Sequence, residues 1–239
     1  MDTLKFHKSG VKVIAHRGLS GIEKENTNAA FVAAGNRSYW GIETDIHKTA
    51  DGIFAVIHDN TTGRVAKRDI PVEESTFEEL SSLVLDDIDG STERCDLKIP
   101  TLNEYIRICK RYNKIAVLEL KSCFSLQDLK RIITIIEENE YLKNTVFISF
   151  RIDNLIALRT ICPGQKAQFL TSDFSDETLN ILIKNKLDLD IEYTKLTAED
   201  VHRLKENDIE VNVWTCNDAE TAEKLVKYGV DYITTNILE

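Results

Sequence analysis

KIAVLELKSCFSLQDLKRIITIIEENEYLKNTVFISF (residues 114–150) reads as one repeating unit of a fold. Residues 114–120 form a short apolar run rich in Val, Ile and Leu, the length of a buried strand. Residues 125–139 are amphipathic at helical spacing and open on Ser125 and Asp128, the acidic variant of a capping box. Residues 145–150 form a second short apolar run. Strand, helix, strand at this spacing predicts two parallel strands joined by a helical crossover.

The same alternation extends in both directions. Further strands are expected at 11–16, 40–46, 167–171, 187–192, 210–215 and 230–234. Helices are expected at 27–36, 101–112, 153–161, 175–185, 197–207 and 218–228. Thr101 with Glu104, and Thr197 with Asp200, repeat the capping-box spacing. Eight strands with a helix after nearly every one predict an α/β fold, a closed (β/α)8 TIM barrel, over residues 1–239 as a single domain. The alternative is an open doubly wound sheet. Such a sheet usually carries a glycine-rich phosphate turn after an early strand, and neither G-x-G-x-x-G nor a Walker motif is present. The alternation breaks once. After the second strand, Asp51-Gly52 reads as a hairpin turn into the run 53–59, and residues 60–100 have few long apolar runs. We therefore expect a small insertion after strand two, at about 47–100, lying over the barrel mouth.

The net charge of −10 argues against nonspecific nucleic-acid binding and against anionic membrane surfaces. No apolar run approaches the ~20 residues of a membrane span, and residues 1–8 contain no apolar core of a signal peptide. Five widely spaced cysteines without a C-x-x-C pair read as reduced thiols, which predicts a cytoplasmic location.

In a barrel of this kind the chemistry gathers at the carboxyl ends of the strands. Strand one ends in His16 and Arg17. Strand two carries Glu43 and Asp45, two apart and so on one face, with His47 continuing the alternation. The next strand carries Glu119 and Lys121, and the hairpin returns His58 and Asp59. Three converging carboxylates would repel one another unless a hard cation, Mg²⁺ or Ca²⁺, is held between Glu43, Asp45 and Glu119. Two histidines, His16 and His58, can move protons near neutral pH, with Asp59 as an orienting group. Arg17 and Lys121 can hold phosphate oxygens. Trp214 is either a core residue or a wall of the substrate pocket, and His7 and His202 read as surface residues. These parts together suit metal-assisted phosphodiester cleavage.

The sequence also resembles the glycerophosphodiester phosphodiesterase family, within the wider group of phospholipase-C-like phosphodiesterases. The matching segments are AHRG (15–18), ENTNAAFVAA (25–34), GIETDIHKTADGIFAVIHD (41–59), IPTLNE (99–104), LELK (118–121), VNVWTCN (211–217) and GVDYITTN (229–236). The resemblance implies a (β/α)8 barrel that hydrolyses glycerophosphodiesters, such as deacylated phospholipids, to glycerol 3-phosphate and an alcohol. It implies Glu43, Asp45 and Glu119 as metal ligands, His16 and His58 as the acid/base pair, Arg17 and Lys121 as phosphate contacts, and support from Glu25 and Asn26. Three positions depart from the family's usual pattern: Lys24 replaces Pro, Thr44 replaces Leu, and Asn236 replaces Asp. Two other functions fit the same barrel: a lysophospholipase D or other lipid-headgroup phosphodiesterase, which would need an apolar groove from residues 60–100, and a noncatalytic barrel that binds phosphoesters. The expected partner is a small-molecule glycerophosphodiester, without nucleic acid or stable membrane insertion; the oligomeric state is left open.

Overall fold

The computed structural model describes residues 2–239. In chain order the strands are β1 (Lys12–Ala15), β2 (Gly41–Lys48), β3 (Phe54–Val56), β4 (Ile115–Leu120), β5 (Thr145–Ser149), β6 (Ala167–Thr171), β7 (Asp188–Glu192), β8 (Val211–Trp214) and β9 (Tyr232–Thr235). The α-helices are α1 (Asn28–Gly35), α2 (Phe77–Ser82), α3 (Leu102–Tyr112), α4 (Leu126–Glu138), α5 (Ile152–Ile161), α6 (Asp176–Asn185), α7 (Ala198–Lys205) and α8 (Ala219–Tyr228). Parallel pairing runs β1-β2-β4-β5-β6-β7-β8-β9 and closes back from β9 to β1. The result is a (β/α)8 TIM barrel, and among the described residues β3 is the one strand outside the ring. β3 runs antiparallel to the end of β2, as the Asp51-Gly52 turn predicted, with Ile46 opposite Val56 and Lys48 opposite Phe54.

Two layers hold the barrel. Apolar side chains of the outer sheet face, among them Ile42, Phe147, Leu189, Val213 and Ile233, pack against buried helical residues such as Phe31, Ile132, Leu155, Leu204 and Leu225. Strands buried on both faces read as continuous apolar runs, which is why the sequence displayed them so clearly. Inside the ring a smaller cluster forms from Ile14, Val117, Val146, Ile148, Leu170 and Tyr232, with the Trp40 ring tilted against Tyr232 at a centroid distance of 5.0 Å. The three expected capping boxes close reciprocally at Thr101–Glu104, Ser125–Asp128 and Thr197–Asp200.

The segment between β3 and α3 has its own small core. Val72, Leu80, Leu83 and Leu85 are buried there with Ala55, Ile57, Val65, Leu97 and Ile99. Helix α2 was not expected, although Thr76 and Glu79 form a capping box at its start. A helix of 6 residues offers too little periodicity to stand out from its surroundings.

Candidate active site

The site begins where β1 ends. Arg17 and Gly18 both adopt left-handed backbone conformations, with φ of 54° and 77°. This sharp turn aims the Arg17 amide at Glu43, which accepts its hydrogen bond at 2.7 Å. Gly18 is required: a Cβ there would lie 2.7 Å from the backbone and side chain of Ala30 in α1. Gly18→Ala is therefore expected to destabilise the protein by at least ~1–3 kcal/mol, from backbone strain before the clash is counted. A thermal-denaturation midpoint within a degree of the parent protein would contradict this account of the turn.

Glu43 and Asp45 on β2, and Glu119 on β4, converge with carboxylate oxygens within 4.8 Å of one another. All three are buried, and Asp45 Oδ1 has no hydrogen-bond partner among the described residues. Oxygens this close fit around one divalent ion, since opposite ligands at ~2.4 Å would lie ~4.8 Å apart. The remaining contacts fix the cluster. Asn26, at φ 54°, donates through its amide to Asp45 Oδ2 at 2.8 Å. Thr44 donates to Asn26 Oδ1 at 2.7 Å, which fixes which way the amide faces. Lys121 Nζ lies 3.0 Å from Glu119 and 3.7 Å from Asp45, and Arg17 Nε lies 3.6 Å from Asp45.

Charge is distributed unevenly over the three acids. Burial and the neighbouring Asp45 push Glu119 up to about 8. Burial, again with Asp45 beside it, raises Glu43 well above the usual carboxylate range. Asp45 is buried too, but Arg17 and Lys121 outweigh that cost and hold it well below that range. Ionised Glu43 and Glu119 beside Asp45 are therefore costly, and a divalent cation would offset that cost.

A prediction with a definite sign follows from Glu119. Its folded pKa lies above the ordinary value of 4.5, so the folded state holds the extra proton between about 4.5 and about 8. This contribution to stability is present below that window and lost as pH rises through it. Metal binding requires the deprotonated carboxylates, so affinity rises across the same window and binding releases protons. Calorimetry with Mg²⁺ or Ca²⁺ in buffers of different ionisation enthalpy reads the release; an affinity independent of pH from 6 to 9 would exclude it.

The two histidines flank this cluster with different partners. His16 Nδ1 lies 2.7 Å from Asn236 Oδ1, which also accepts from Ser20 Oγ at 3.0 Å. An amide oxygen only accepts, so Nδ1 carries the proton and Nε2 keeps its lone pair. Burial, assisted by Arg17, lowers the His16 pKa to about 4. His58 Nδ1 instead lies 2.5 Å from the Asp59 carboxylate. Burial lowers the His58 pKa and the Arg17 charge adds to this, while Asp45 and Asp59 pull it back. Asp59 is bound in turn by Arg64 Nε at 2.5 Å. Arg64 also grips Glu25 at 2.7 and 2.9 Å, and Arg17 reaches Glu25 at 3.0 Å. Arg64 thus ties the inserted segment to the loops after β1 and β3.

His16, Arg17, Glu43, His58, Glu119 and Trp214 line one cleft of about 90 Å³ at the carboxyl ends of the strands. Trp214 is a wall of this cleft and meets Phe150 edge-on at 5.7 Å. Glu25, Asn26, Asp59 and Lys121 surround it through the contacts above. His47 is buried at its edge, with Nδ1 at 3.0 Å from Glu73 and Nε2 at 3.2 Å from the His58 carbonyl. His7 and His202 are exposed. The sequence reading missed Arg64, Ser20 and Asn236 as neighbours of this cleft. Asn217 accepts from the Asn236 amide at 2.7 Å and so braces the partner of His16. The departure noted at Asn236 was the one available signal.

Buried carboxylates, two differently partnered histidines and an arginine at the mouth of a TIM barrel are groups that suit phosphodiester hydrolysis. Residues 16–239 match the model of the glycerophosphoryl diester phosphodiesterase family. The chain belongs to that family. It is 30% identical to the glycerophosphodiester phosphodiesterase of Caldanaerobacter subterraneus subsp. tengcongensis, covering 94% of this chain and 93% of that one. It is 28% identical to the glycerophosphodiester phosphodiesterase of Bacillus altitudinis, covering 94% of both. Among solved structures it resembles an Oleispira antarctica phosphodiesterase in complex with the product sn-glycerol-3-phosphate, at 25% identity. That match has a TM-score of 0.84 and covers 98% of this chain and 96% of the other. The protein is an enzyme that hydrolyses glycerophosphodiesters. No helix among the described residues is long and apolar enough to cross a membrane.

Proposed function

We propose that the enzyme cleaves glycerophosphodiesters to sn-glycerol 3-phosphate and an alcohol, with one Mg²⁺ or Ca²⁺ bound by Glu43, Asp45 and Glu119. The observation that carries this reading is a trio of buried carboxylates close enough to share an ion, in which Asp45 Oδ1 accepts no hydrogen bond among the described residues and has Lys121 Nζ near it at 3.7 Å. The Oleispira neighbour, bound to sn-glycerol-3-phosphate, supports the product. When bound, the cation supplies neutralising charge at the phosphate. Arg17 and Lys121 hold nonbridging phosphate oxygens from either side of the acids. His16 Nε2 takes the proton of the attacking oxygen, which belongs to water or to the neighbouring 2-hydroxyl of the glycerol; in the second case a cyclic phosphate forms as the alcohol leaves, and water then opens it to sn-glycerol 3-phosphate. His58 gives a proton to the departing alkoxide, and the Asp59 carboxylate holds its ring and favours its protonated form. Glu25 and Asn26 support the mouth: Glu25 by holding Arg17, Asn26 by orienting Asp45. Trp214 forms a wall against the substrate. The free cysteines suit a reducing, cytoplasmic setting, and cleavage of deacylated phospholipids to glycerol 3-phosphate suits a role in lipid and glycerol metabolism.

A lipid-headgroup reading is less well supported. Most of the apolar residues in 60–100 that would build an acyl groove are spent on the core of the inserted segment. A noncatalytic barrel is disfavoured because both histidines and all three carboxylates are in place. A panel of glycerophosphodiesters and lysophospholipids, assayed for glycerol 3-phosphate and for free alcohol with each metal, tests the reading. Turnover confined to lysophospholipids would overturn it.

Arg17 provides a sharper test. Arg17→Ala should reduce kcat/KM by about 10²-fold or more, the scale of a lost charge-assisted contact in the transition state. Arg17→Lys should also lose activity, because its point charge cannot reproduce the planar fork. Near-parental kinetics for both variants would remove Arg17 from the phosphate site.

A further inference from the structure

The half of the barrel facing away from the carboxylate cluster contains a group with no assigned task. Asp190 on β7 points into the ring and lines the same cleft. In the ring order β1-β2-β4-β5-β6-β7-β8-β9, β7 lies diametrically across from β2, which carries Glu43 and Asp45. Asp190 is 2% exposed, and its Oδ1 has no hydrogen-bond partner among the described residues. Trp214, at the end of the adjacent strand, likewise has an indole Nε1 that is buried and unpartnered among the described residues. The cleft floor beside them is polar through Thr234, whose hydroxyl bonds Asn212 at 3.1 Å, and apolar through Ile148 and Leu170. Buried polar atoms are normally satisfied, so an acceptor and a donor left open in one cleft point to a ligand that completes them.

We infer that Asp190 Oδ1 and Trp214 Nε1 form a hydroxyl-binding subsite that seats the glycerol half of the substrate inside the barrel and leaves the alcohol half toward the opening. This rests on the glycerophosphodiesterase reading. Each hydroxyl both donates and accepts, and the glycerol half of the substrate carries two of them. The open acceptor on Asp190 and the open donor on Trp214 match that chemistry. Asp190 does not behave as a fixed anion: burial pushes it up to about 8, and the neighbouring Asn212 amide offsets only part of this. A neutral carboxyl hydrogen-bonds a hydroxyl without repelling the phosphate nearby, and it does not attract a cationic headgroup. Asp190 is thus a specificity-determining residue, recognising what is attached to the phosphate and not the phosphate itself.

The test compares glycerophosphocholine with propylphosphocholine, which keeps the phosphate and the alcohol but lacks both glycerol hydroxyls. The unaltered enzyme should prefer glycerophosphocholine by about 10²-fold or more in kcat/KM, because a site built for hydroxyls rejects analogues that lack them. In Asp190→Ala that preference should fall by about 10–100-fold, and Trp214→Phe, which keeps the ring and removes the N–H, should move it in the same direction. Asp190→Asn keeps the shape should the alanine variant fail to fold; the readout is the change of preference in the variants, because a 2-hydroxyl nucleophile would by itself give the unaltered enzyme a preference. If the enzyme turns over glycerophosphocholine and both Asp190 variants keep the full preference, the subsite is wrong while the phosphodiesterase reading stands. If the loss tracks a change from choline to ethanolamine instead of the glycerol hydroxyls, Asp190 serves the leaving group and the inference is overturned. If the unaltered enzyme hydrolyses no glycerophosphodiester, both fall together.

Discussion

Replacing Glu119 with alanine, or removing the divalent cation with a chelator, is expected to lower kcat for glycerophosphodiesters by about 10³-fold or more. The magnitude follows from the several kcal/mol that a metal ion contributes to a charged phosphoryl transition state, at 1.36 kcal/mol for each factor of ten. Two controls separate chemistry from folding. Glu119→Gln preserves shape and removes the charge, and it should be nearly as inactive as Glu119→Ala. It should also be at least as stable as the parent without metal, because it removes an acid that burial and Asp45 already push up to about 8. Metal affinity, measured by calorimetry, should fall in parallel with activity. A Glu119→Gln variant with parental kcat would remove Glu119 from the ligand set.

His16→Ala and His58→Ala should each lower kcat by about 10²–10⁴-fold, the usual contribution of a positioned acid or base, with metal still bound. The two losses differ in kind. His16 is held by a neutral amide and keeps an open Nε2, as suits a base. His58 is held by a carboxylate, as suits a group that must carry a proton. A nitrophenyl phosphodiester has a leaving group that needs little protonation. It should therefore rescue His58→Ala and leave His16→Ala slow. Rescue of His16→Ala instead would reverse the two roles. Parental turnover of glycerophosphodiesters by both variants would end the two-histidine mechanism.

The barrel was legible because its strands are buried on both faces and most of its helices open on strong caps; 114–150 alone shows the repeating unit. The residues at the strand ends were legible for a related reason. A charged side chain closing an apolar run has few inexpensive places to go, and the pleat puts Glu43 and Asp45 on one face. What stayed hidden depended on distance along the chain. Asn236 reaches His16 across 220 residues. Arg64 lies in a polar stretch where its charge looks like ordinary surface, yet it grips Glu25 and Asp59. Thr44 lies between two site acids and reads only as a replacement for the family's usual Leu, but its hydroxyl fixes Asn26. Asp190 was read as part of a strand, LDLDIE, because only the closed ring shows that it looks across at the carboxylates.

The most direct test of metal-assisted glycerophosphodiester hydrolysis at this cleft is one measurement on the full chain: release of sn-glycerol 3-phosphate from glycerophosphocholine by metal-free protein, before and after titration with Mg²⁺ or Ca²⁺. The account predicts negligible release without metal and recovery that saturates at one ion per chain. Full release by verified metal-free protein, or none at any metal concentration, would contradict it.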